Sequence, residues 1–412
     1  MTIATTSLDN GLRVVTERAP DLHSVSVGFW VGTGSRDEAP AMAGASHFLE
    51  HLLFKGTERR SARAIAEDID AVGGEMNAFT AKEYTAFYVR VLPDDLGLAL
   101  DILTDIMFNP AFRPDEVEAE RQVILEEILM HGDEPADLAH ELCFGALFPD
   151  HPLGVDPLGD EKTVEGLAPE DISGFFDQHY RPANMVAAAA GPIDADWLVD
   201  AIARRTAAFG GGAAPARRAP DQSLRPHVAL DRPTEQVHLV VGARALDALS
   251  PDRYALSVAE QAIGGGMSSR LFQEIRESRG LAYSVYSFRA GFTDSGALGV
   301  YVGTAPERVE EVLDVTGNEL ESIVTEGLRP REVDVAKGHL RGSLLLGLED
   351  SAARMSRIAR SQLFHGEVPS VEEVVARIEA VDGEHVNRVA AAVLAQPRVL
   401  AVVGPCGSPS AH

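Results

Sequence analysis

The 412-residue chain is predicted to be α+β, with two similar halves, each an antiparallel sheet packed with helices, joined by a linker. Three observations predict this. Strands and helices come in blocks instead of strict alternation, which separates α+β from a doubly wound parallel sheet. The stretch 209–220, FGGGAAPARRAP, carries no apolar period and reads as a linker near the middle of the chain. The segments on either side, roughly 200 residues each, pass through their elements in a similar order, so an internal duplication is expected. The expected division is a domain at 1–208, a linker at 209–222 and a second domain at 223–412.

The first half opens on a hairpin signal at Asn10-Gly11, because Asn-Gly supplies the backbone freedom a tight hairpin turn needs. The apolar run 25–31 follows as a strand, then helical segments at 44–54 and 62–72 and a strand at 84–92. Helical patterns then dominate, at 95–107, 114–130, 134–147 and 169–179. A strand of small residues at 185–191 and a helix at 195–208 close this half. The second half has a strand at 237–241, helices at 252–263 and 268–277, and strands at 282–289 and 297–304. Helices at 306–325, 330–346, 351–363 and 370–381 precede a last strand at 399–403.

Composition excludes several classes of function. Lys and Arg total 36 against 63 Asp and Glu, a formal net charge of −27. A nucleic-acid binder needs clustered positive charge, and an anionic membrane attracts it, so neither partner is expected. At 45% hydrophobic and 24% charged, the chain has ordinary globular composition. Cys143 and Cys406 lie too far apart in sequence for a disulfide framework or a paired thiolate metal site, so two idle thiols are expected. The first residues, MTIATTSLDNGLRVV, lack the basic and long apolar regions of a secretory signal. With no long apolar run elsewhere, a cytoplasmic protein is expected.

The informative segment is 46–57, SHFLEHLLFKGT. His47 and His51 are four apart, so a helix stacks them on one face. Phe48, Leu49, Leu52 and Leu53 cover much of the remainder, so the helix is expected to be buried. Ionisable groups on a buried helix are costly unless paired or bound to metal. Zinc supplies a reason for them: neutral imidazoles ligate it, and a catalytic site keeps one position for water. Glu50 stands beside His51, where it can act as general base toward that water. The order is H-x-x-E-H, the inverse of H-E-x-x-H. By chance the five-residue pattern arises in roughly one chain in thirty, so its context matters.

A tetrahedral site needs a third protein ligand. Downstream, residues 114–130 read PDEVEAERQVILEEILM. Glu120 and Glu127 are seven apart, on one helix face, with Val123 and Ile124 between them. Glu116, Glu118 and Glu126 read as a solvated face. Residue chemistry leaves Glu126 and Glu127 both open as ligand.

This arrangement resembles the pitrilysin/insulinase family of zinc metallopeptidases, and within it a bacterial branch similar to the mitochondrial processing peptidase. The likeness extends over most of the chain, including VGTGSRDE at 31–38, FKGT at 54–57, GGEMNAFT at 73–80 and EEILMHGDEP at 126–135. It implies that Glu127 is the third ligand and that Glu120 orients a ligating histidine. It also implies one Zn²⁺ per chain, although Mn²⁺ and Co²⁺ accept such ligands too.

In 271–286, LFQEIRESRGLAYSVY, Arg276 and Tyr283 are seven apart, and the resemblance implies that they hold the substrate backbone and polarise the scissile carbonyl. Arg279 and Tyr286 are competing neighbours. The segment 73–78 reads as a helix end at glycine followed by an edge strand, and the resemblance implies that Asn77 and Ala78 pair with the substrate as an added strand. Gly264-Gly265-Gly266 lacks the residues that complete a phosphate loop and is expected to be a flexible joint.

The resemblance thus implies a zinc endopeptidase acting on oligopeptides or unfolded segments inside a closed chamber. It implies that the chain is half of a clamshell that pairs with a second copy as a homodimer. Basic peptides are an expected substrate class, given the charge. On the same resemblance the chain is alternatively the catalytic subunit of a hetero-oligomeric processing peptidase, or a non-catalytic structural or regulatory subunit. The intact His47, Glu50, His51 and Glu127 set argues against the last.

Overall fold

The computed structural model describes residues 2–405, so Cys406 lies outside the described residues. The chain divides into two units. The first takes the residues up to Leu129, Val155–Arg218 and Leu346–Pro369; the second takes Met130–Gly154, Ala219–Leu345 and the residues from Ser370 on.

The first unit holds strands β1 (Thr2–Ser7), β2 (Arg13–Arg18), β3 (Val25–Val31), β4 (Glu75–Thr80), β5 (Thr85–Val91) and β6 (Met185–Gly191) in the order β1-β2-β6-β3-β5-β4. The second holds β7 (His227–Asp231), β8 (Val237–Ala245), β9 (Ala282–Gly291), β10 (Gly296–Thr304) and β11 (Arg398–Gly404) in the order β7-β11-β8-β10-β9. With β1 set aside, the two orders are the same permutation of chain order, which carries the expected duplication. The α+β expectation holds, with one departure: β2 pairs with β6, and β7 with β11, in parallel. In each unit the last strand returns after a long helical excursion, the kind of connection a parallel pair requires.

Both faces of each sheet are covered, so the central strands are apolar without alternation. All seven residues of β3 and all nine of β10 are buried. One face of the first sheet packs on α1 (Ala45–Leu53), α2 (Ala62–Ala71), α3 (Leu96–Phe108) and α4 (Pro114–Gly132), with Phe29, Phe48, Leu49, Phe87 and Ile124 at its centre. The opposite face, formed by Val15, Trp30, Ala86, Val186, Ala188 and Ala190, is covered by Met355, Ile358 and Ala359 of the helix Ser351–His365. Glu17 on β2 anchors that helix through Arg354 at 2.6 Å and Arg357 at 3.3 Å. In the second unit the equivalent face is covered by α5 (Pro135–Leu147), whose Ala139, Cys143 and Leu147 pack on Val240, Ala401 and Val403.

The units are therefore not the continuous halves 1–208 and 223–412. Each sheet has a second apolar face, and the segment that covers it comes from the other half of the sequence. The segment read as a linker is also tied down at Arg217. Arg217 grips the Asp37 carboxylate with two nitrogens, at 2.7 and 2.8 Å, and donates to the Gly32 and Glu83 carbonyls. Gly264, expected in a flexible joint, ends the helix Arg253–Gly264, and a Cβ there would lie 2.5 Å from the Ser287 amide of β9. It is a close-approach glycine. Sequence reading overlooked β7 and the helix Gly383–Leu394.

Ile358 is fully buried on the second face of the first sheet, with Trp30. Ile358→Ala is expected to destabilise the first unit by about 2–4 kcal/mol in denaturant unfolding followed by tryptophan fluorescence. An unchanged midpoint would mean that this helix adds nothing to the unit.

Candidate metal centre

Helix α1 is buried through Ala45, Ser46, His47, Phe48, Leu49, Leu52 and Leu53, and Gly44 enters it at φ +95°. Its first turn is capped by a side chain from upstream: the Glu38 carboxylate accepts from the Gly44 amide at 2.8 Å and the Ser46 amide at 2.7 Å. This satisfies two of the donors that a helix N-terminus leaves without partners. Burial pushes Glu38 up to about 7, while the two amides pull it back.

The helix presents His47 and His51 side by side, their ring centroids 4.6 Å apart. Glu127, from α4, approaches both: its Oε2 is 3.7 Å from His47 Nε2 and 3.5 Å from His51 Nε2. Three donor atoms, one from each residue, lie within 4.8 Å of one another. Zinc–ligand bonds of about 2.0–2.2 Å in a tetrahedron put ligand atoms about 3.3–3.6 Å apart, so the set fits a zinc ion with little adjustment. Burial, with His51 alongside, holds His47 down to about 4, neutral as a ligand must be.

Other groups hold these three side chains in place. His51 Nδ1 lies 2.8 Å from Glu120 Oε1, and the second oxygen of Glu120 is 2.5 Å from Lys55 Nζ. Burial works against the charge on Glu120, but His51 and Lys55 together hold its carboxyl below the usual range. His51 is opposed by burial yet ends above its ordinary value, because Glu120, Glu127 and Glu50 surround it. Glu50 is raised by burial and by Glu127, and drawn back down by Thr80 and His51. The Thr80 hydroxyl donates to Glu50 Oε2 at 2.6 Å. The first unit thus brings together His47, Glu50, His51, Glu120 and Glu127. Val123, expected on the face between Glu120 and Glu127, is half exposed; Ile124 alone is buried there. Lys55 and Thr80 were overlooked in the sequence, although each sits in a segment singled out there, FKGT and GGEMNAFT.

Asn77 and Ala78 lie on β4, the last strand of its sheet; between α2 and β4 the chain turns at Gly73, with φ +63°. Ala78 N–H donates to Asn77 Oδ1 at 2.8 Å, so one edge amide is held locally. A cavity of about 690 Å³ follows this edge, lined by Phe54, Ile65, Ile69, Met76, Asn77 and Tyr88 among others.

Arg276 and Tyr283 belong to the second unit. The expected helix there is a π-helix, Phe272–Ser278. Tyr283 is the extra residue of a bulge in β9, since Gly303 pairs with Ser284 and Thr304 with Ala282. Such local departures recur at functional sites because they re-aim side chains. Arg276 donates to the Tyr283 carbonyl at 2.9 Å, and its guanidinium is 4.4 Å from the Tyr283 ring centroid and 4.8 Å from that of Phe272. Tyr283 is 74% exposed. The competing neighbours are engaged elsewhere: Tyr286 with His140 at 3.3 Å, Arg279 with Glu274 at 3.6 Å.

Two family models match the chain, one after the other. A family model described as Insulinase (Peptidase family M16) matches residues 13–160, and one described as Peptidase M16 inactive domain matches residues 166–340. An uncharacterized zinc protease of Mycobacterium tuberculosis is 48% identical over 98% of this chain and 93% of its own length. Another, of Streptomyces coelicolor, is 46% identical over 98% and 90%, and YmxG of Bacillus subtilis, also named an uncharacterized zinc protease, is 37% identical over 97% of both. Among solved structures, a peptidase M16 inactive domain from Pseudomonas fluorescens superposes with a TM-score of 0.93 at 22% identity over 99% of this chain and 98% of that one. A protease from Helicobacter pylori gives 0.91 at 20% identity over 98% and 99%.

Glu120→Gln is expected to weaken zinc binding about 10- to 100-fold in chelator competition. Glu127→Gln should weaken it far more than Glu126→Gln. The reverse order at the last pair would remove Glu127 from the ligand set.

Proposed function

From its membership of the insulinase family of peptidases (M16), to which this chain belongs, we propose that it is a zinc-dependent endopeptidase. One observation carries the reading: two imidazoles and a carboxylate converge within 4.8 Å, with a further carboxylate, Glu50, on the same helix. His47, His51 and Glu127 would hold the ion, one per chain. When bound, zinc supplies Lewis acidity that acidifies water and polarises a carbonyl.

The chain's own groups account for the remaining steps. Glu50, with Oε2 held by the Thr80 hydroxyl, takes the proton of the attacking water at Oε1. As the water oxygen bonds to the scissile carbon and the C–N bond breaks, Glu50 passes that proton to the leaving nitrogen. Arg276 and Tyr283 are donors suited to the peptide backbone and to the carbonyl oxygen as it becomes negative. The edge of β4 at Asn77 and Ala78 receives the peptide as an added strand, a mode that reads main chain and tolerates many sequences.

Because one chain carries both the metal residues and the Arg–Tyr pair, we read the active form as a homodimer enclosing a chamber. Enclosure selects oligopeptides and unfolded segments, and the net charge of −27 favours basic ones. No helix among the described residues is long and apolar enough to cross a membrane, and we place the enzyme in the cytoplasm.

Glu50→Gln should retain zinc and lose at least about 100-fold in kcat on a quenched-fluorescent peptide. Retained turnover would exclude Glu50 as the base. Tyr283→Phe is expected to lower kcat by about 100-fold with zinc content unchanged, and full activity would leave it a packing residue.

A further inference from the structure

Glu50 is a long side chain with three rotatable bonds, and a base must be held in one orientation to act repeatedly. Its nearest hydrogen-bond donor is the Thr80 hydroxyl, at 2.6 Å from Oε2, and the Thr80 backbone amide adds a weaker pull on the same carboxylate, one that a change of side chain leaves in place. The same hydroxyl lies 3.4 Å from the Ser46 carbonyl. It has one proton to give, and the short bond to a carboxylate is the stronger of the two. Thr80 is well suited to hold that geometry: a β-branched residue on a strand has little freedom at χ1.

Thr80 is also the last residue of β4, paired with Thr85 of β5. Side chains two apart on a strand share a face, so Met76, Ala78 and Thr80 point to the same side. Ala78 and Met76 pack there in the core that contains α1. The strand proposed to receive the peptide therefore ends in the group that holds the base.

We propose that Thr80 is a positioning residue for Glu50: its hydroxyl fixes Oε2 and presents Oε1, and its place on β4 lets one strand set both the peptide's position and the base's orientation. This rests on the peptidase reading above. The cost of losing the hydroxyl falls on turnover, because the peptide is bound by main-chain groups of β4 and the metal by residues of α1 and α4.

The test uses the full zinc-loaded chain as wild type, Thr80→Val and Thr80→Ser. Valine keeps the shape and the strand preference but removes the donor; serine restores the donor. Thr80→Val should lower kcat roughly 10- to 100-fold, with zinc content unchanged and KM within about twofold. Thr80→Ser should recover most of the loss. In a Glu50→Gln background, Thr80→Val should leave the affinity for the uncleaved peptide unchanged. A Thr80→Val enzyme with wild-type kcat overturns the proposal. Equal losses in valine and serine variants, with falling zinc content, make Thr80 structural and overturn it too. A wild-type chain that holds zinc and leaves every peptide intact overturns the peptidase reading, and with it the task assigned to Thr80.

Discussion

His47, Glu50 and His51 ride on a helix whose other faces are packed into the core, and groups of this kind persist in such a place only with partners. The surrounding residues supply them. Glu127 faces both imidazoles, Glu120 holds the outer nitrogen of His51, Lys55 offsets the charge of Glu120, Thr80 donates to Glu50, and Glu38 caps the helix. Each comes from a different turn or strand, so α1, α4, β4 and the segment before α1 must keep their registers together. The folding of the first unit and the shape of its metal centre are in this sense one problem.

The two units solve the same packing problem with different chemistry. Their strand orders match, and each covers its second apolar face with a helix from the other half of the sequence. The helix Arg253–Gly264, the first after β8 as α1 is after β3, carries no histidine. The second unit instead carries a π-helix and a bulged edge strand that display Arg276 and Tyr283. A duplicated frame thus bears two histidines and a carboxylate in one copy and an arginine–tyrosine pair in the other.

Much of the centre was legible because helical spacing is rigid. His47 and His51 at i and i+4, and Glu120 and Glu127 two turns apart, can only stack along a helix face, whatever packs around them. The apolar runs of β3 and β6 likewise announced buried strands. Other features were not legible, for physical reasons. Val123 and Ile124 are adjacent and equally apolar, and only the side of α4 that meets the core decides that Ile124 is buried and Val123 half exposed. The Lys55–Glu120 and Thr80–Glu50 contacts join segments 65 and 30 residues apart, through side chains that would be equally at home on a surface. The exchange of covering helices depends on two sheets each having a second apolar face, which a strand pattern alone does not assign to a partner. Bulge and π-helix are single-residue adjustments in hydrogen bonding and leave no periodic trace.

Edge strands are usually blunted against pairing with other chains. Here β4 lies beside a cavity of about 690 Å³, and one of its amides is held by the short side chain of Asn77, a partner that an incoming strand can displace. The same strand ends at Thr80, which is bonded to Glu50 of α1. The measurement that bears most directly on the account is cleavage of an extended, basic, quenched-fluorescent peptide by the purified chain, stripped of metal by a chelator and then titrated with zinc. The account predicts no turnover without metal and recovery that saturates at one zinc per chain. Cleavage that persists in the stripped chain, or a fully loaded chain that leaves the peptide intact, would contradict it.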